Sequence, residues 1–393
     1  MRPWLTVWIK PGDMIEHVLA RNPRHSIWLL AALGGIGSIV AQLIGAGWAS
    51  ASVDWRALTA LAVVGSVYGV VGLYINAWCL LLIGKMLGGQ ASAFQLRALL
   101  AWGGLPYIVV LAITVAVLGI GSVTSVSALR IFFLLFQAVI LILILWSLFM
   151  TLRMIARAER FGIWRSIVTL LFCMALSFGI AMSIRTFLFQ PFNTPSGSNK
   201  PTLLVGDYIF VSKYAYGYTH YSLPFSLPLF SGRIWATEPQ RGDNVVFRLP
   251  RDTSTDYVKR IVGLPGDRIQ MIEGVLHING TPIKRERIED FLDIENSEPT
   301  AVKQWRETLP NGVSYATLDL VDNGFADNTQ VFTVPPKHYF VIGDNRDNST
   351  DSRFNLVGMI PFENLIGRVV IVFYSVDPGS GTIRFNRIGK AAR

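Results

Sequence analysis

Only two cysteines, Cys79 and Cys173, occur in 393 residues, and both fall inside long apolar stretches. A disulfide framework, a zinc-ligand set and a thiol nucleophile are therefore not expected. Charge is also scarce, at 16% Asp, Glu, Lys and Arg, and acidic side chains are nearly missing from the first half. Residues 1–190 hold 13 Lys/Arg against 4 Asp/Glu, while residues 191–393 hold 22 of each. The whole net charge of +9 thus lies in the first half. That placement fits anionic lipid and membrane topology and does not call for nucleic acid. Histidine is limited to His17, His25, His220, His277 and His338, none in a metal-ligand spacing or a recognisable triad. No cleavable leader is expected, because residues 1–26 carry scattered charges and no short apolar run with a small-residue cleavage site.

What is present is hydrophobicity. The chain is 51% hydrophobic with a mean hydropathy of +0.43, which indicates a membrane class. Five apolar stretches, at about 27–48, 62–84, 98–120, 131–152 and 166–189, approach the roughly 20 residues needed to cross a bilayer. Trp28, Trp48, Trp102 and Trp164 lie near their ends, as interfacial aromatics do. Residues 1–26 and the loops near 85–97 and 153–165 hold 4, 2 and 4 Lys/Arg, whereas the loops near 49–61 and 121–130 hold one each, Arg56 and Arg130. The positive-inside rule then places the N-terminus in the cytoplasm, and five crossings carry everything after residue 189 to the far side.

From Gln190 the pattern turns to β. Short runs such as Tyr208–Val211, Asn244–Phe247, Val275–Ile278, His338–Ile342 and residues 369–374 alternate with Gly, Pro and Asp turns. Asn279-Gly280 predicts a tight hairpin. Residues 284–330 are more polar and less regular and suggest an insertion.

Three windows carry chemistry. Ser198 lies in Thr194-Pro195-Ser196-Gly197-Ser198-Asn199-Lys200-Pro201-Thr202-Leu203, directly after the last apolar stretch. A serine hydroxyl needs a base to become a nucleophile. A plain Ser/Gly/Pro linker would have the same composition. Lys259 follows in Asp256-Tyr257-Val258-Lys259-Arg260-Ile261-Val262-Gly263. Burial among apolar neighbours would depress a lysine enough to accept a proton, and strand alternation puts Lys259 on the face of Tyr257 and Ile261. A solvated edge lysine paired with Asp256 is the competing reading. The third window is Gly343-Asp344-Asn345-Arg346-Asp347-Asn348-Ser349-Thr350-Asp351-Ser352-Arg353. As a calcium loop it fails, since Ser349 stands where glycine is needed and Asn355 where glutamate is needed. A polar loop with internal Asp–Arg pairs, able to orient Lys259 through Ser349, fits better. A Ser–His hydrolase built on Ser198 remains an alternative.

Together, the three windows resemble the bacterial type I signal peptidases (leader peptidases), over roughly residues 166–393. The resemblance implies a mainly-β extracytoplasmic catalytic domain with an inserted β subdomain, standing after an α-helical multi-span membrane domain. It implies Ser198 as nucleophile and Lys259 as general base, with an oxyanion hole from the Ser198 main-chain N–H and the Ser196 hydroxyl. Ser349 would position Lys259, supported by Asp351 and Arg353, and Thr194 and Val258 would line the pockets for small substrate side chains. The substrate would be a preprotein signal peptide, cut after a small–x–small motif at the bacterial inner membrane, with no metal or organic cofactor. Asn199 stands where methionine is usual in that family, and Thr194 where a larger aliphatic residue is common. These departures keep open a catalytically impaired scaffold that binds signal sequences, and the four extra spans keep open one that sorts membrane proteins.

Residues 1–160, with about four spans, are similar to the Yip family of multi-span membrane proteins. The expected organisation is thus a membrane domain over 1–160, an anchor helix over 161–189 and a catalytic domain over 190–393, with 284–330 part of the insertion.

Overall fold

A computed structural model describes residues 3–21, 26–45, 55–120, 126–293 and 299–392, and the chain divides into two compact units, Met1–Ile180 and Ala181–Arg393.

The first unit is helical. Its elements are α1 (Pro3–Ile9), α2 (Pro11–Arg21), α3 (Ile27–Gly45), α4 (Trp55–Met86), α5 (Ala93–Gly103), α6 (Leu105–Ile120), α7 (Val126–Ala158) and α8 (Ile163–Phe187), whose last turns belong to the second unit. Among the described residues four helical stretches are long and apolar enough to cross a membrane: Leu61–Met86, Ala93–Ala116, Leu135–Ala158 and Ile163–Phe187. The first predicted span is a shorter apolar helix, Ile27–Gln42. Its expected end at Trp48 lies outside the described residues, as do His25 and residues 49–54 and 121–125 of the two weakly charged loops.

The third predicted span starts earlier than expected and is interrupted. Ser92 and Gln95 close a capping box that begins α5. The interruption at Gly104 precedes Pro106, which lacks an N–H and disfavours helix in the residue before it. α3 and α4 approach closely through glycine: a Cβ on Gly35 would lie 2.5 Å from the Gly69 backbone nitrogen. α1 and α2 were not anticipated, being short and partly charged. α2 buries Met14 and Ile15, and its Asp13 pairs with Arg157 of α7 at 3.0 Å.

The second unit is β. Its strands begin with β1 (Phe189–Asn193), β2 (Asp207–Ser212), β3 (Asn244–Leu249) and β4 (Asp252–Gly263). A small hairpin group follows, β5 (Arg268–Ile272), β6 (Val275–Ile278) and β7 (Thr281–Pro282). Then come β8 (Lys284–Arg287), β9 (Phe291–Asp293), β10 (Thr300–Thr308) and β11 (Ser314–Asp319). The chain closes with β12 (Phe332–Thr333), β13 (His338–Ile342), β14 (Ile360–Pro361) and β15 (Leu365–Ser375). The main sheet runs β1-β2-β15-β3-β4-β13-β14, and a smaller one runs β12-β5-β6-β7. The predicted Asn279-Gly280 turn is there, with φ of 55° and 81° at the two central residues, as a two-residue hairpin of this type requires.

The main sheet is covered on both faces. Val245, Phe247, Ile261 and Val341 pack into one apolar cluster, while Val246, Ile209, Val211 and Val369 pack into another. The polar stretch after residue 284 is more regular than its sequence suggests: β8, β10 and β11 form an antiparallel sheet of their own, with β9 paired to β10.

Candidate active site

Ser198 sits in a single 3-10 turn, Gly197–Asn199, that follows an extended Ser196. Lys259 sits on β4, opposite Val245 of β3. The fold brings the two side chains together, with Lys259 Nζ 2.5 Å from Ser198 Oγ. The Ser196 and Ser198 hydroxyls are 3.2 Å apart.

Lys259 is 4% exposed, so it is not a solvated edge lysine. Asp256, its imagined partner, pairs instead with Arg248 at 3.2 Å. Strand alternation held: the Tyr257 ring lies 5.6 Å from the ammonium, and Tyr257 and Ile261 pack in one cluster. Burial lowers the Lys259 pKa to about 8, against the opposing pull of the Asp351 and Asp344 carboxylates, and Arg353 lowers it further. A substantial fraction of the lysine is then neutral near physiological pH, the state in which an amine takes a proton.

The loop after β13 packs on the Ser198 turn. The Asn345 N–H donates to the Ser198 carbonyl at 3.1 Å, and the Asn345 amide donates to the Gly197 carbonyl at 3.2 Å. A Cβ on Gly343 would meet Ser349 and lie 2.5 Å from the Ser198 carbonyl oxygen, so only glycine lets the backbones approach this closely. The Ser349 hydroxyl donates to Asp351 at 2.8 Å, while Lys259 makes its hydrogen bond to Ser198. Ser349 is thus joined to Asp351, whose carboxylate acts on Lys259 by its charge. Asp351 also accepts from the Gly343 N–H at 3.0 Å and from the Arg353 guanidinium at 2.9 Å. Burial pushes the Asp351 carboxyl up, but Arg353 and these hydrogen bonds outweigh it and hold the group below its ordinary range.

The expected pairing inside this loop is only partly present. Arg353 pairs with Asp351, but Asp344 pairs with Arg260 of β4 at 2.7 Å, with both side chains fully buried. Thr202, four residues past Ser198, donates to the same carboxylate at 2.5 Å. Arg346 pairs with Glu307 of β10, to which the Tyr315 hydroxyl also donates at 3.0 Å. Asn345 and Arg346 lay in a motif already singled out and could have been assigned from it. Glu307 is a lone carboxylate in a strand, with no sequence signal.

Val258 packs against the cluster holding Val246 and Leu203. Thr194 is 5% exposed and its hydroxyl has no partner among the described residues. Both side-chain atoms of the buried Asn199 amide are likewise unpartnered among the described residues. The histidines of this unit are engaged elsewhere: His220 lies 3.4 Å from Glu363, His277 contacts the Val275 carbonyl and His338 the Pro336 carbonyl.

The family described as "Signal peptidase, peptidase S26" matches residues 164–374, and the Yip1 domain matches residues 5–184. Signal peptidase I of Rickettsia conorii is 48% identical over 204 residues, covering 50% of this chain and 75% of that protein. Signal peptidase I of Rickettsia typhi is 47% identical over the same length, covering 50% and 76%. A solved signal peptidase I from Enterococcus faecalis is 28% identical, covering 34% of this chain and 97% of its own, at a TM-score of 0.22. The Yip1 match and the four long apolar helices make the protein membrane-associated. With a family match over more than half its length and close curated relatives, the chain belongs to the signal peptidase family, peptidase S26, with a Yip1-like helical region ahead of the peptidase part.

Proposed function

We propose that this protein removes N-terminal signal peptides by a Ser198–Lys259 dyad. Neutral Lys259 takes the Ser198 proton as the hydroxyl oxygen attacks the scissile carbonyl carbon. The Ser198 main-chain N–H and the Ser196 hydroxyl hold the developing oxyanion. The tetrahedral species collapses, the C–N bond breaks and Lys259 returns the proton to the leaving amine. Water, deprotonated by Lys259, then attacks the acyl carbon, the bond to the Ser198 oxygen breaks, and Lys259 returns the proton to that oxygen. Asp351, Arg353 and Ser349 support the lysine, and Thr194 and Val258 face the small side chains ahead of the cut. The observation that carries this reading is the 2.5 Å contact between a buried, pKa-lowered lysine and a serine in a tight turn.

On this reading, residues 1–160 form the membrane domain, 161–189 the anchor and 190–393 the catalytic domain. The N-terminus lies in the cytoplasm, and catalysis takes place on the outer side of the bacterial inner membrane. The anchor confines enzyme and signal peptide to one surface and raises their effective concentration.

The test is cleavage, in liposomes, of a preprotein bearing an Ala-x-Ala site by wild type, Ser198→Ala and Lys259→Ala. Cleavage by wild type alone supports the dyad. Binding of the preprotein without cleavage by folded wild type moves the assignment to a signal-sequence scaffold. Full activity in Lys259→Ala refutes the base.

A further inference from the structure

Lys200 is two residues past Ser198 in the same turn, and Asp293 ends β9 of the inserted sheet. Lys200 is 3% exposed, and its ammonium lies 2.9 and 2.8 Å from the two Asp293 carboxylate oxygens. The lysine stem passes directly beneath the turn: a Cβ on Gly197 would lie 3.0 Å from Lys200 Cε. The Lys200 N–H also donates to the Gly197 carbonyl at 3.1 Å. The Lys200 stem thus packs against the Gly197 backbone. A buried ammonium is costly unless paired, so Asp293 takes part in fixing the position of Lys200.

The inserted sheet grips the same turn by a second route. The Leu318 N–H of β11 donates to the Asp344 carbonyl at 2.8 Å, and the Arg346 N–H donates to the Leu318 carbonyl at 3.0 Å. Between them, Asn345 reaches the Gly197 and Ser198 carbonyls. Lys200–Asp293 and Asn345 thus hold the turn by separate contacts, and both lines lead back to β9–β11.

We infer that Lys200 and Asp293 form a clamp through which the inserted sheet sets the position of the Ser198 turn, and with it the oxyanion donors. Both are positioning residues, since the Ser198 hydroxyl itself is bonded to Lys259. The inference rests on Ser198 being the nucleophile. Its consequence is that the insertion takes part in turnover, and does not merely decorate the fold.

The experiment measures kcat and KM of the full chain in liposomes on the Ala-x-Ala preprotein. The variants are Lys200→Met, Asp293→Asn, their double, Lys200→Arg and Ser198→Ala, with melting temperature recorded for each. A displaced reacting group can cost roughly 10²-fold in rate, so each single is expected to lose kcat on that scale with KM near wild type. The double is expected to be no worse than the worse single, because the pair acts as one unit. Lys200→Arg, which keeps the charge, is expected to recover part of the loss. Should Lys200→Met fail to fold, the isosteric Asp293→Asn carries the same comparison. Wild-type kcat in either single, beside an inactive Ser198→Ala, overturns the clamp alone. So does a lowered melting temperature without a kcat change, or a double whose loss is the product of the singles. An active Ser198→Ala overturns the nucleophile assignment and the clamp with it.

Discussion

Lys259 Nζ meets Ser198 Oγ at 2.5 Å across 61 positions of chain, and Lys259 is nearly enclosed where it does so. On the proposed mechanism Lys259 must be neutral to act as the base, and its folded pKa of about 8 sets where that happens. kcat/KM is therefore expected to rise with pH along a single-proton limb centred near 8 and level above it. A pH–rate profile on a short Ala-x-Ala peptide checks this. A rate already level from pH 6 would remove Lys259 as the base.

The same burial has a stability signature. The folded pKa lies below the ordinary lysine value of 10.5, so folding disfavours the protonated form. The cost is fully present below about pH 8 and is relieved as pH rises toward 10.5. Lys259→Met is expected to be inactive yet more stable than wild type at pH 7, by on the order of 1–3 kcal/mol. Denaturant melts at pH 7 and pH 10 decide it: the gain should shrink at the higher pH, and a constant gain would point to packing alone.

Asp351 tests the electrostatics from the other side. Its carboxylate raises the Lys259 pKa, and it also neutralises Arg353, which lowers it. Asp351→Asn removes the first effect and unmasks the second, so the rate limb is expected to move to lower pH. Breaking this buried pair is also expected to cost about 3–5 kcal/mol of stability. A limb that moves to higher pH would contradict the charge coupling, whatever the stability change.

Much of this site was legible in the sequence because its chemistry is local. Ser198 with its flanking Gly and Pro, and Lys259 between Tyr257 and Ile261, could be picked out as candidates from windows of ten residues. Each window alone also fitted a plain linker or a solvated lysine, and only the resemblance of the three windows together to a known family chose between the readings. The partners that close the site could not. Arg260 gave no sign that Asp344 would neutralise it 84 positions away. The inserted sheet looked irregular because β10 buries a charged residue, Glu307, where alternation calls for an apolar one, and it exposes Ala301 and Arg306. Glu307 is buried because Arg346 and Tyr315 satisfy it, a long-range fact with no periodic signature. The helical region was legible by length and hydropathy, except for α1 and α2, which are too short for either measure to register.

Gly343 is expected to be intolerant of substitution. A methyl group there meets Ser349 on one side and the Ser198 carbonyl on the other. Gly343→Ala must displace one of them, and where the Ser198 turn yields, the Ser198 hydroxyl moves with it. Loss of about 10²-fold in kcat is expected, with a smaller effect on melting temperature. Measured turnover near wild type would mean that Ser349 yields instead, and that it is not needed where it stands.

Asn199 is a buried amide beside Ser198, and the cost of its burial can be measured. It is 1% exposed, directly follows Ser198, and neither side-chain atom has a partner among the described residues. A buried amide left unsatisfied costs about 1–3 kcal/mol. Asn199→Met replaces it with an unbranched apolar chain that can adapt to an irregular space. Stability is therefore expected to rise by about that amount, with turnover kept or increased. Methionine is also longer, and overpacking can itself cost about 1–3 kcal/mol, so Asn199→Ala serves as the volume control. A rise in the denaturation midpoint for Met, or for Ala when Met is too large, would establish that the amide is unsatisfied. If both variants are less stable than wild type, the amide has a partner and its burial is compensated. If Met restores stability but lowers kcat, the polar group serves the substrate, and the signal peptides taken by this enzyme should then be sought among those offering a hydrogen bond beside the cut.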